Sequence, residues 1–174
     1  MGAQDGMPPA ALADVRVLDL TDTAGQYAGK LLADLGADVI LVEPPAGSAT
    51  RRRPPFADDT PHHDRSLAFW YWNTSKRSLT LDLASVDGRA LFRRLVPRFD
   101  VVVQTFPPAD AGAFGLDPEG LTALHPGLIQ CSITPFGAWG PHADYAASDL
   151  TVTAMSGVMH LLGWPDRAPT TPAG

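Results

Sequence analysis

Residues 34–45 read DLGADVILVEPP. Gly36 closes a polar helix end, DVILVE (38–43) reads as a strand, and Pro44 and Pro45 stop it. Upstream, VRVLDL (15–20) is a β-branched and apolar run suited to a buried strand, and TDTAGQ follows as a turn. YAGKLLADLGA then sets Ala28, Leu31, Leu32 and Leu35 at helical spacing. Strand, helix and strand in so short a span make a βαβ unit. Its two strands must run parallel and be covered by helices.

The pattern continues outward. Residues 44–68 are irregular, and a loop of that length in a compact domain is usually functional. LAFWYWN (67–73) and SLTLDL (78–83) read as strands around TSKR. SVDGRALFRRLVPRF is a helix with Ser85 as N-cap. DVVVQTF (100–106) is a buried strand, DPEGLTALHP a short helix, GLIQCSITPF (127–136) a strand and ASDLTVTAMSGVMHLLG (147–163) a helix. Strands alternating with helices predict an α/β fold with an open, mostly parallel sheet flanked by helices. Trp70, Tyr71 and Trp72 could stack on an adenine, but aromatic residues in a strand are expected in the core. Cys131, in an apolar strand, is expected to be a buried structural thiol.

The 174 residues, 45% hydrophobic and 18% charged, suit one globular domain. A net charge of −6 argues against a nucleic-acid binder, which needs a basic face, and no apolar run reaches membrane-spanning length. MGAQDGMPPAALAD has no signal-peptide pattern, and Gly6 stands where a myristoylation motif needs Ser or Thr. A cytoplasmic location is expected. The prolines and glycines cluster at 44–61, 107–112, 135–141 and 163–174, punctuating a fold.

In open parallel sheets, ligands bind outside the carboxyl ends of the strands. Glu43 could hold a ribose hydroxyl there, but TDTAGQYAGK has only Gly25 and Gly29 and lacks G-x-G-x-x-G. Without those glycines a dinucleotide pyrophosphate cannot approach, so Glu43 reads as a solvated strand-end acid. The triplet Arg51, Arg52 and Arg53 reads as a solvated loop, although it follows the second strand on the ligand side.

VRVLDLTDTAGQYAGKLLADLGADVILVEPP, NTSKRSLTLDLASVDGRALFRRL, DVVVQTFPP, GLDPEGLTALHPGLIQCSITPFGAWGP and SDLTVTAMSGVMHLLG together resemble the N-terminal half of class III coenzyme A transferases. That family includes formyl-CoA transferase, carnitine-CoA transferase and α-methylacyl-CoA racemase. The resemblance covers residues 15–174, after an N-terminal extension at 1–14. It implies the N-terminal part of a Rossmann-like large domain in an interlocked dimer, with acyl-CoA across the strand ends and no metal or tightly bound cofactor. An aspartate attacks the thioester and carries CoA as an aspartyl thioester to a carboxylic acid. By this resemblance that aspartate falls just after Gly174, so no catalytic residue is expected in the chain. Asp149 matches a position beside the site, and Asp166 reads as a turn residue. The racemase branch needs a histidine base before Asp149, where this chain has Ser148, and His142 reads as a loop residue.

The resemblance places CoA against Thr23, Ala24 and Gly25 of the first turn, against Lys76 and Arg77, and against Leu81 and Leu83. It adds Thr105 and Phe106 after the fourth strand, Phe136 and Gly137 after the fifth, and Arg52 as a replacement charge. Several family charges are absent: Pro44 and Ala84 stand where basic residues are common, as does Ala113. The first turn has Gln26 for the usual proline, and the turn after residue 104 keeps Phe106 and Pro108 but carries Thr105 and Ala109. CoA phosphates favour Arg forks and Lys point charges, so the charge clamp is depleted. Three functions follow: a CoA transferase present as an N-terminal part, a non-catalytic relative pairing with an active subunit, or another nucleotide- or acyl-CoA-binding protein. A homodimer or pairing with a related subunit is expected, and residues 1–174 alone should expose apolar surface.

Overall fold

A computed structural model describes residues 9–164, 166–168 and 170. Most of the expected N-terminal extension and the last residues of the proline-rich close lie outside them. The chain forms two compact units that meet in sequence between Ile133 and Thr134.

The first unit holds β1 (Arg16–Leu20), α1 (Gln26–Asp34), β2 (Asp38–Glu43), α2 (Leu67–Trp72), β3 (Arg77–Thr80), α3 (Val86–Leu95), β4 (Val101–Gln104), α4 (Pro108–Phe114), α5 (Pro118–Leu124) and β5 (Ile129–Ser132). The strands form one sheet in the order β3-β2-β1-β4-β5, and every pair is parallel. Alternation along the strands divides the core. Val17, Val39 and Val103 meet Ala33 of α1 on one face. Leu18, Leu20, Val42 and Val102 meet Phe92, Val96 and Leu121 on the other. Helices therefore cover both faces, as the βαβ pattern requires.

Several expectations need correction. Residues 67–72 form a helix, although LAFWYW is rich in strand formers. The buried Ser66 hydroxyl accepts the Phe69 N–H at 3.1 Å and donates to the carbonyls of Thr50 and Arg53, which fixes a capped first turn. Its aromatic residues are not core: Trp70 is 50% and Tyr71 59% exposed. Trp72 is half-buried beneath the Arg53 guanidinium, 5.3 Å from its ring centre. Helix α1 stands where expected, but it buries Gln26, Gly29 and Ala33 and leaves Leu31 and Leu35 half-exposed. Cys131 is exposed, on β5, which among the described residues is an edge strand paired with β4 alone. Helix α4 was not expected; Pro108 starts it and Gly115, at φ 74°, ends it.

In the second unit, Ser148 and Thr151 form a capping box that starts α6 (Asp149–Met155). The continuous helix expected over 147–163 is broken at Gly157, at φ 81°, which leads into a 3₁₀ turn at Val158–Leu161. Phe136, His142 and Tyr145 form an aromatic cluster, with the His142 and Tyr145 rings stacked 4.7 Å apart. Among the described residues no helix is long and apolar enough to cross a membrane.

Candidate functional site

From β1 the chain runs to β2 and β3 on one side of the sheet, whereas β4 and β5 lie on the other. The connections leaving β1 and β4 therefore diverge, and a crevice opens at the carboxyl ends of the strands. There the structure has a cleft of about 420 Å³. Leu20, Val42, Leu81, Leu83, Phe106 and Phe114 give it an apolar lining, and Thr21, Asp22, Ser48, Arg52, Asp82 and Thr105 add polar groups. The turn after β1 is fastened across the switch point, where the Asp22 N–H donates to Thr105 Oγ1 at 2.9 Å. Gly25 is required here: a Cβ would lie 2.7 Å from Thr21 Cγ2 and 2.8 Å from Thr105 Cγ2.

Glu43 at the end of β2 is not a solvated acid; its side chain is 3% exposed. Arg51 forks onto both carboxylate oxygens at 2.6 and 2.7 Å, the Ser78 hydroxyl donates at 2.5 Å, and the Ser48 N–H at 2.9 Å. The Arg51 guanidinium also lies 3.8 Å from the Phe69 ring centre, so this arginine is a structural clasp and not a solvated loop charge. Burial alone would push the Glu43 pKa up, but Arg51, Ser78 and the Ser48 amide outweigh it and hold the group at about 2. A depressed folded pKa gives stability that is full above the unfolded value and lost as pH falls through the folded one. Unfolding free energy is expected to drop by roughly 2–3 kcal/mol between about pH 5 and 2 on this account, discounted for solvent at the rim. Denaturant melts of the parent and Glu43→Gln across that range check this, because the variant should lack that part of the slope.

Deeper in the sheet, Lys76 and Asp19 form a buried ion pair at 2.7 Å. Burial lowers the Lys76 pKa, and Asp19 pulls in the opposite direction without restoring it.

The residues the family resemblance selected fall in five places. Arg52, Leu81, Leu83, Thr105 and Phe106 line the cleft, and so do the neutral Pro44 and Ala84. Thr23, Ala24 and Gly25 form the adjoining turn, with the Ala24 N–H bonded to Asp22 Oδ1. Lys76 is turned inward to Asp19, Asn73 and the Gln26 carbonyl, while Arg77 pairs with Asp38 at the amino-terminal edge of the sheet. Phe136 and Gly137 belong to the second unit. Sequence reasoning missed the inward roles of Gln26, Ser48 and Glu43. The short Ser-x-Thr spacing at 48–50 was the available signal, since such residues bond to nearby backbone. Among the described residues, His62, His63 and Asp64 bring three possible metal-ligand atoms within 4.8 Å of one another on the exposed loop. Asp64 there is already paired with Arg51 and His63.

Comparison with known proteins matches this architecture. The succinate–glutarate CoA-transferase of Agrobacterium fabrum is 45% identical over 166 residues, which are 93% of this chain and 41% of that protein. The succinyl-CoA–D-citramalate CoA-transferase of Chloroflexus aurantiacus is 41% identical over 94% of this chain and 40% of its own length. The crystal structure of a CaiB/BaiF family protein from Brucella suis superposes with a TM-score of 0.83 at 43% identity, covering 94% of this chain and 44% of that one. The chain thus spans about two-fifths of the length of the curated relatives it matches. With the model of CoA-transferase family III matching residues 12–174, the chain belongs to that family.

Proposed function

We propose that the cleft binds the CoA moiety of an acyl-CoA and that the chain is part of an acyl-CoA:carboxylate CoA transferase. The observation that carries this is the convergence of Leu81–Ala84, Thr105–Phe106 and Arg52 on one cleft at the strand ends of a family member. The reaction splits one acyl exchange into steps. A carboxylate nucleophile, an aspartate C-terminal to Gly174, attacks the thioester carbonyl and releases CoA thiolate, leaving a mixed anhydride. The thiolate attacks the aspartyl carbonyl of the anhydride and expels the first carboxylate, and the aspartyl-CoA thioester then passes CoA to the acceptor acid by the reverse sequence. The two named relatives handle small dicarboxylic acids, so succinyl-CoA is the first donor to test. The protein works in the cytoplasm without a tightly bound cofactor, as a homodimer or with a related subunit, and contacts neither nucleic acid nor membrane.

Titration calorimetry with CoA tests the site. Arg52→Ala should weaken binding about fivefold and Ala84→Lys should tighten it by a similar factor, the scale of an exposed charge on phosphate. Failure of the parent protein to bind CoA or succinyl-CoA would sink the proposal. A second reading has its own support, because Arg52 is the one cation among the described residues lining the cleft. In a protein that includes the aspartate proposed after Gly174, a transferase would give a hydroxylamine-trapped aspartyl adduct with succinyl-CoA, whereas a non-catalytic subunit would bind CoA weakly and give none.

A further inference from the structure

Gln26 opens α1 and is completely buried. A buried primary amide needs partners for its donors and its acceptor, and here it has them. Nε2 donates to Ser48 Oγ at 2.9 Å and to the Thr21 carbonyl at 3.4 Å, while Oε1 accepts from Asn73 Nδ2 at 3.1 Å. One side chain thereby joins the end of β1, the loop after β2 and the end of α2. Each partner is itself engaged: Ser48 Oγ lies 2.7 Å from Thr50 Oγ1, and the Ser48 N–H bonds to Glu43 at 2.9 Å. Asn73 Oδ1 accepts from Lys76 Nζ at 2.9 Å, and Lys76 also bonds to the Gln26 carbonyl at 2.7 Å. Ser48, Ala49 and Arg52 line the cleft, but Gln26 does not.

We infer that Gln26 is a positioning residue: its amide fixes residues 46–52 as a preformed wall of the cleft and so sets where Arg52 stands, without touching the ligand. A network with every member satisfied holds one arrangement, and a half-satisfied one does not. Clamped by Gln26 at Ser48 and by Glu43 at Arg51, the wall needs no closure on binding. The inference rests on the cleft being a CoA site, and the test separates the two.

Gln26→Leu, Ser48→Ala and the double variant are compared with the parent protein by CoA titration and by hydrogen–deuterium exchange of residues 46–52. Gln26→Leu should speed exchange in that segment and weaken CoA binding about tenfold, the scale of a broken buried hydrogen bond. The double variant should be no worse than the weaker single one, because both remove the same bond. If Gln26→Leu does not fold, Ser48→Ala alone carries the same two expectations while leaving α1 intact. Unchanged exchange at 46–52, or unchanged CoA affinity in a folded variant, overturns the role given to Gln26. If the parent does not bind CoA, the proposed function falls, and the exchange result still decides whether Gln26 holds the wall.

Discussion

Replacing Lys76 with methionine is expected to lower the unfolding free energy by about 3–5 kcal/mol, the cost of leaving a buried charge without its partner. The side chains of Lys76 and Asp19 are 1% and 0% exposed, so water cannot take over solvation of the remaining carboxylate. Asp19 Oδ1 keeps the Thr21 N–H at 3.0 Å and the Thr21 hydroxyl at 2.5 Å, but Oδ2 loses its ammonium. Relaxation is limited because α1 crosses directly above: a Cβ at Gly29 would lie 2.1 Å from Asp19 Oδ2. The variant also strips Asn73 Oδ1 and the Gln26 carbonyl of a donor, which adds to the loss. Adding Asp19→Leu should cost less than the sum of the single changes, because no lone charge remains. Urea unfolding of the three variants decides it. A loss under about 1 kcal/mol for Lys76→Met would mean that the pair is solvated after all.

Gly88→Ala is expected to be comparably severe, for a steric reason. An alanine Cβ there would sit 1.8 Å from the Asp82 carbonyl oxygen, a backbone atom that cannot rotate aside. The same carbonyl accepts the Ser85 hydroxyl at 2.8 Å, and Ser85 in turn caps the Gly88 N–H at 2.9 Å. The methyl group must therefore unseat the start of α3 or push back residues 82–85. Overpacking of this kind costs roughly 1–3 kcal/mol and more where backbone must move. Asp82, Leu83 and Ala84 line the cleft, so CoA affinity should fall together with the melting temperature. Ser85→Ala is the control, because it loses about 1 kcal/mol of capping without the collision. A Gly88→Ala protein as stable as Ser85→Ala would refute the argument.

The sheet was legible because its signals are local. The apolar, β-branched runs of β1 and β2, the glycine after α1 and the serine before α3 are each read within a few residues. Residues 67–72 misled because aromatic side chains favour strands on average, whereas the deciding contact is Ser66 with carbonyls 13 and 16 residues earlier. The site was half legible. The family resemblance named Leu81, Leu83, Thr105 and Phe106, which line the cleft at the carboxyl ends of the strands, where the open-sheet rule puts a ligand. The resemblance set Lys76 against CoA, whereas its partner Asp19 lies 57 residues away, beyond the reach of any local pattern. Cys131 was read as buried from apolar neighbours, but its position at an edge depends on the strand order.

That strand order also sets a schedule for synthesis. The central strand is made first, and its neighbours are β2, made almost at once, and β4, made much later. Until Gln104 has emerged, β1 can be zipped along one side only, and its other side, with Val17 and Leu18, offers open backbone to any passing strand. At ordinary translation speeds the interval between Glu43 and Gln104 corresponds to roughly 3–12 s. For that time the nascent chain carries a sticky seam along a line that is buried once the sheet is complete.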